Sequence, residues 1–207
     1  MTLERIAPIL FVLLWSSGWI APVYGIGHAS AEVFLSARFA SAAVAFVLLS
    51  VIVGARWPRD PKLIFHGFMS GLLLHGCYLG GVWWAIFNGV PASVSGVIAA
   101  LQPLMTAALA PVLVKERLSL TQIIGVLLGF IGIVIALVPS FEGLDPLVFA
   151  KRALPIGVNM VAMTGVVLGT IYQKRFVRSG DMRTTAVIQY LGALAVVVPL
   201  SVAVRMG

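Results

Sequence analysis

The chain has 207 residues, of which 60% are hydrophobic and 10% are charged. A soluble domain is about half apolar and a quarter charged, and a compact globule of this length cannot hide so much apolar surface, so composition excludes a water-soluble fold and points to lipid as the solvent. The basic excess, 14 Lys+Arg against 7 Asp+Glu, does not point to nucleic acid, because nearly all of it lies in short segments between long apolar runs instead of on one aromatic-studded face.

Seven runs meet the length of about 20 mostly apolar residues that a spanning helix needs: 6–24, 32–53, 64–87, 93–114, 120–138, 153–173 and 185–204. The first carries Arg5 at its start and Ala29-Ser30-Ala31 beyond its end. It is longer than a signal-peptide core and includes Trp15, Trp19 and Pro22, so it reads as a retained span. The connections are too short for a soluble domain, and the expected fold is all-α, a polytopic transmembrane bundle of about seven spans.

Charge gives the expected orientation. Arg5, Arg56, Arg59, Lys62, Lys115, Arg117, Lys174, Arg175, Arg178 and Arg183 fall on one side, while Lys151, Arg152 and Arg205 fall on the other. Ten against three places the N-terminus in the cytoplasm. The Lys151-Arg152 pair runs against the rule locally.

Small residues mark the expected helix contacts, since close backbone approach and dispersion hold helices together in lipid. Gly125, Gly129 and Gly132 share one face of the fifth run, and Gly67/Gly71, Gly96/Ala100 and Gly165/Gly169 repeat the spacing of four. Ser119 and Gln122 have the spacing of a capping box opening the fifth helix. The single cysteine, Cys77, permits no internal disulfide and reads as a small packing residue.

Polar groups at membrane depth are expensive, which makes each a candidate for function. Arg38, two turns into the second helix, either meets an anionic solute or snorkels to headgroups and helix carbonyls. His75, with Tyr78 at i+3, either carries a coupling proton or hydrogen-bonds a neighbouring helix as a neutral ring. Gln102-Pro103 interrupts the fourth run. Pro103 frees the carbonyl of Ala99 and predicts a kink, which marks either a binding site or mere packing. Trp15 and Trp19 share a face and suit a cavity wall, whereas Trp83 and Trp84 read as belt or packing residues. Glu116, at the turn after the fourth run, reads as an exposed partner for its basic neighbours. No P-loop, metal-ligand cluster or nucleophile–base set is present, so neither enzyme activity nor a cofactor is expected.

Three stretches together carry a resemblance: Leu14-Trp15-Ser16-Ser17-Gly18-Trp19 followed by Pro22; Ser36-Ala37-Arg38-Phe39; and Ala100-Leu101-Gln102-Pro103-Leu104, then Lys115-Glu116-Arg117-Leu118 and the Gly125/Gly129/Gly132 helix. In order and spacing they resemble the EamA-type branch of the drug/metabolite transporter superfamily, well over the first 140 residues and in part beyond. The resemblance implies two five-helix repeats of opposite orientation. Gly18-Trp19 precede Arg38 at the spacing at which Gly169-Thr170 precede Gln189, a faint internal match in register. Residues 1–139 are therefore expected to form one repeat, and 140–207 the first two helices of a second, with the sequence a fragment of a longer transporter. The implied function is secondary transport of a small metabolite, amino acid or drug-like solute, outward across the inner or plasma membrane. A non-transporting scaffold or inactive fragment is the alternative.

Overall fold

The computed structural model describes residues 3–113, 118–138 and 146–206. The Lys115-Glu116-Arg117 turn and the proposed boundary at 139–140 lie outside these residues, and the side chains of Arg5 and Arg205 lie outside the described side chains. Seven helical rods follow one another among the described residues: α1 (Leu3–Gly25), α2 (Ala31–Ile52), α3 (Pro61–Phe87), α4 in two halves (Ala92–Ala99 and Gln102–Leu113), α5 (Leu120–Leu137), α6 (Pro146–Phe176) and α7 (Met182–Met206). Six stretches are long and apolar enough to cross a membrane, and α5 supplies a shorter one, Leu120–Ile135. This is a polytopic helical membrane bundle. Its many exposed Leu, Ile, Val and Phe side chains, such as Leu14, Ile52 and Leu128, are what a lipid-facing surface requires.

Local chemistry sets the helix ends. Asp60 caps α3 by accepting from the Lys62 N–H at 2.9 Å, with Pro61 in the first turn where its missing N–H costs nothing. The expected capping box opens α5: Ser119 Oγ accepts from the Gln122 N–H, and the Ser119 N–H donates to Gln122 Oε1 at 2.8 Å. Helix α6 begins about two turns before its predicted start, so Lys151 and Arg152 ride on the helix instead of in a loop. That helix contains a buried Pro155.

The centre of the molecule is a three-helix seam. Helix α7 packs along α2 and α3, and α3 also packs along α6. Gly71 of α3 and Gly192 of α7 meet reciprocally: a Cβ on Gly71 would run into the carbonyl oxygen of Gln189, and one on Gly192 into that of Phe68. Gly67 faces Ile188, and Gly76 faces Val196 and Ala193. On the other side of α3, Gly81 meets Ala162, Gly165 meets Cys77 and Gly169 meets Leu73 and Leu74. The Gly67/Gly71 and Gly165/Gly169 pairs are thus contact faces, as expected.

Helix α3 is irregular at its middle, where Leu72–Cys77 forms a π-helical turn. Gly71 and Gly76 are five apart, and in an uninterrupted α-helix that spacing would put them about 140° from each other. The wider turn brings Gly76 back onto the α7 seam.

Two expectations about packing fail. Gly125 and Gly132 have nothing within 4 Å of where a Cβ would stand, as does Gly96, and only Gly129 is close to a neighbour, Leu104. The reason is that, among the described residues, α5 packs chiefly against the two halves of α4, so most of its surface is open. Cys77, although its Cβ faces Gly165, leaves its side chain exposed instead of buried.

Buried polar bonds pin the seam. Gln189 Nε2 donates to Ser70 Oγ at 3.0 Å, and Ser70 in turn donates to the Gly67 carbonyl at 2.7 Å. Asn159 of α6 donates to Ser95 Oγ of α4 at 2.6 Å, with both side chains fully buried. At one end of the bundle the connections after α2 and α6 meet, where Thr184 Oγ1 donates to the Arg56 carbonyl at 3.3 Å. At the opposite end Gly25 lies against Phe87 and Phe34.

Candidate functional site

A cavity of about 450 Å³ opens between α1, α2, α3, α6 and α7, with the first residue of the second half of α4 on its wall. Each helix contributes for a local reason. Helix α1 brings Trp15 and Trp19 one turn apart. Helix α2 brings Arg38 and Phe39, with Phe39 buried and the Arg38 side chain turned to the opening. Helix α3 presents His75 from within its π-helical turn and Tyr78 just after it.

Helix α4 does break where the sequence predicts. Its first half ends at Ala99, the second begins at Gln102, and Pro103 occupies the early position where a missing N–H is tolerated. Gln102 consequently reaches the cavity. Pro103 does not; it is exposed and lies outside the lining. Of the seven residues singled out in sequence, Arg38, Trp15, Trp19, His75, Tyr78 and Gln102 come together around one space, and Pro103 acts only through the break.

The Arg38 guanidinium stands over the ring of Trp83, 5.5 Å from its centroid. Trp83 is fully buried, with Phe34 at 5.2 Å and Phe87 stacked at 6.4 Å behind it. It is therefore a platform inside the protein, not part of an interfacial belt. Also lining the cavity, the His75 ring stacks on Tyr190 at 5.1 Å and 23°, with Phe39 at 6.0 Å from one and 5.9 Å from the other.

Thr170, Gln173, Gln189 and Tyr190 of α6 and α7 also line the space, and sequence reasoning did not name them as site residues. Gln189 had entered only as the counterpart of Arg38 in the internal match. The cost of polar groups at membrane depth, which singled out Arg38, applies to Gln189 as well. Arg38 is the one formally charged arginine, lysine, aspartate or glutamate on the described wall, accompanied by the amides of Gln102, Gln173 and Gln189. Among the described residues no group of three His, Cys, Asp or Glu side chains could hold a metal ion.

Such an arrangement, a chamber between spanning helices with one cation, three amides and aromatic faces, has the features typical of small-molecule sites. Comparison with known proteins agrees in kind. The EamA-like transporter family matches residues 5–138. An uncharacterized transporter of Archaeoglobus fulgidus is 26% identical over 138 residues, 65% of this chain and 48% of that protein. The uncharacterized transporter YyaM of Bacillus subtilis is 25% identical over 182 residues, 84% of this chain and 57% of that protein. A probable amino-acid metabolite efflux pump of Salmonella typhimurium is 24% identical over 135 residues, 65% of this chain and 43% of that protein. The chain spans about half the length of the curated relatives it matches. No solved structure matches it.

Proposed function

Because this chain belongs to the EamA-like transporter family, we propose that the cavity between α1, α2, α3, α6 and α7 is its solute site and that it carries a small metabolite outward across the inner or plasma membrane. The observation that carries the reading is the gathering of Arg38, Trp15, Trp19, His75, Tyr78 and Gln102 around one space. The solute is held there; no bond is made or broken, and the protein acts as a transporter, not an enzyme. The name of the Salmonella relative, a probable amino-acid metabolite efflux pump, suggests amino-acid-sized cargo and the outward direction.

Residues 1–139 act as one five-helix repeat and 140–207 as the opening pair of a second, inverted one. Two facts support this division. The in-register pairs Trp19/Thr170 and Arg38/Gln189 all line the same cavity, and α2 packs along α7, its counterpart. Inverted repeats that meet at a central solute site are a common transporter plan.

Reconstitution of the chain in proteoliposomes tests the function. Saturable uptake of labelled amino acids or organic acids above protein-free vesicles is expected. Its absence for every solute would favour a non-transporting scaffold.

Orientation is tested separately. With Cys77→Ser as background, a membrane-impermeant maleimide added to intact cells is expected to label His28→Cys and to spare Ser179→Cys. Both positions are exposed, and they lie at opposite ends of the bundle. The reverse pattern would put the N-terminus outside and overturn the reading from charge.

A further inference from the structure

The walls of the cavity say more about its cargo than the family does. Arg38 lies seven residues into α2, roughly 10 Å from the helix start at 1.5 Å per residue. A guanidinium at that depth is costly unless something anionic meets it. No Asp or Glu lines the space among the described residues, and Arg38 has no ion pair among them. Its guanidinium carbon stands over the Trp83 ring at 5.5 Å, and among the described residues its N–H groups meet no partner, which leaves them for an anion such as a carboxylate that can take two parallel bonds.

An ammonium group would find the opposite. It would enter a space that already holds a positive charge, with only neutral amides to meet it, and burying an unpaired cation is among the larger penalties a site can impose. For the body of the solute the cavity offers Trp15 and Trp19 from α1 and the His75–Tyr190 stack from α3 and α7. Such faces favour a flat aromatic group. The volume of about 450 Å³ lies in the lower part of the range for small-molecule pockets.

We propose that this cavity selects an aromatic monocarboxylate without an amino group: the carboxylate on Arg38, the ring between the aromatic walls. The inference rests on the reading of this cavity as the solute site, and it deepens that reading by excluding organic cations and placing zwitterionic amino acids second.

Three probes share one indole body and differ in charge: indole-3-acetate is an anion, tryptophan a zwitterion and tryptamine a cation. Equilibrium dialysis of each tritiated probe against the full chain in lipid nanodiscs is expected to show indole-3-acetate binding at least tenfold more tightly than tryptamine, with tryptophan between. Arg38→Gln should erase that preference. Gln102→Glu, which puts a carboxylate on the wall, should reverse it, and this second variant keeps the test decisive where Arg38→Gln fails to fold. Tryptamine binding as tightly as indole-3-acetate would overturn the proposal, as would no binding of any probe, or a preference that survives in folded Arg38→Gln. The expected order without uptake into proteoliposomes would uphold the selectivity and sink the transport reading. Saturable uptake that prefers tryptamine would do the reverse.

Discussion

Gly71→Ala is expected to destabilise the bundle by about 3 kcal/mol or more, at the upper end of overpacking penalties, and to remove the monodisperse peak in detergent. In the middle of a helix the same change ordinarily stabilises by roughly 0.5–1 kcal/mol, because alanine loses less backbone entropy than glycine. The sign reverses here because the added methyl would occupy the position of the Gln189 backbone. A flexible side chain could turn aside, but a helix backbone cannot. Relief would require α3 and α7 to separate, which would break the dispersion contacts along the whole seam and stretch the Gln189–Ser70 hydrogen bond. Gly192→Ala should fail in the same way, since its methyl would meet the Phe68 carbonyl. Gly125→Ala and Gly132→Ala, with nothing within 4 Å, should change stability by no more than about 0.5 kcal/mol, as surface substitutions do. Thermal unfolding followed by size-exclusion chromatography checks all four. An unchanged melting temperature for Gly71→Ala would refute the close crossing.

These glycines also show how far the fold was legible. Length and hydropathy placed seven helices to within a few residues, apart from the start of α6, because a spanning helix must satisfy its backbone internally and so announces itself as a long apolar run. Which glycines make contacts was less legible. Spacing places Gly125 and Gly132 on one face but does not say whether a neighbouring helix covers it, and among the described residues α5 packs chiefly against α4. The π-helical turn did have a trace in sequence. Gly67, Gly71 and Gly76 are spaced by four and then five, and the five fits a single seam only if one turn is wide. The site was legible where a polar residue broke an apolar run, as at Arg38, His75 and Gln102. Whether Trp83 served as a belt or a packing residue stayed open because depth along a helix is readable from sequence and direction around it is not, until the neighbours Phe34 and Phe87 are known. Gln173 directly precedes Lys174 at a charged helix end, where a polar residue draws less notice. Gln189 lies as far into α7 as Arg38 lies into α2, but it is uncharged and so draws less notice.

Arg38→Lys is expected to raise KM for an anionic solute at least tenfold with little change in kcat, and Arg38→Gln to raise it further. Lysine keeps the charge but loses two things the geometry uses. An ammonium lacks the planar, delocalised group that stands over the Trp83 ring at 5.5 Å, and it offers point contacts in place of a fork that can meet both carboxylate oxygens. A tenfold effect corresponds to about 1.4 kcal/mol, within reach of one charge-assisted hydrogen bond at 1.5–3 kcal/mol. On the reading of Arg38 as the carboxylate's partner throughout, the loss falls on KM, since an interaction made equally at rest and during translocation sets affinity and not turnover. Trp83→Phe should retain most of the activity, since a ring remains beneath the guanidinium, though a weaker one. Concentration dependence of uptake in proteoliposomes separates these outcomes from misfolding, because a folded variant keeps its melting temperature while its KM moves. The competing role for Arg38, a long side chain reaching out to the lipid headgroups, makes the opposite prediction. Snorkelling needs only a charge on a flexible stem, which lysine supplies as well as arginine. Full uptake by Arg38→Lys at unchanged KM would therefore remove Arg38 from the solute site and leave it as an anchor of α2 in the membrane.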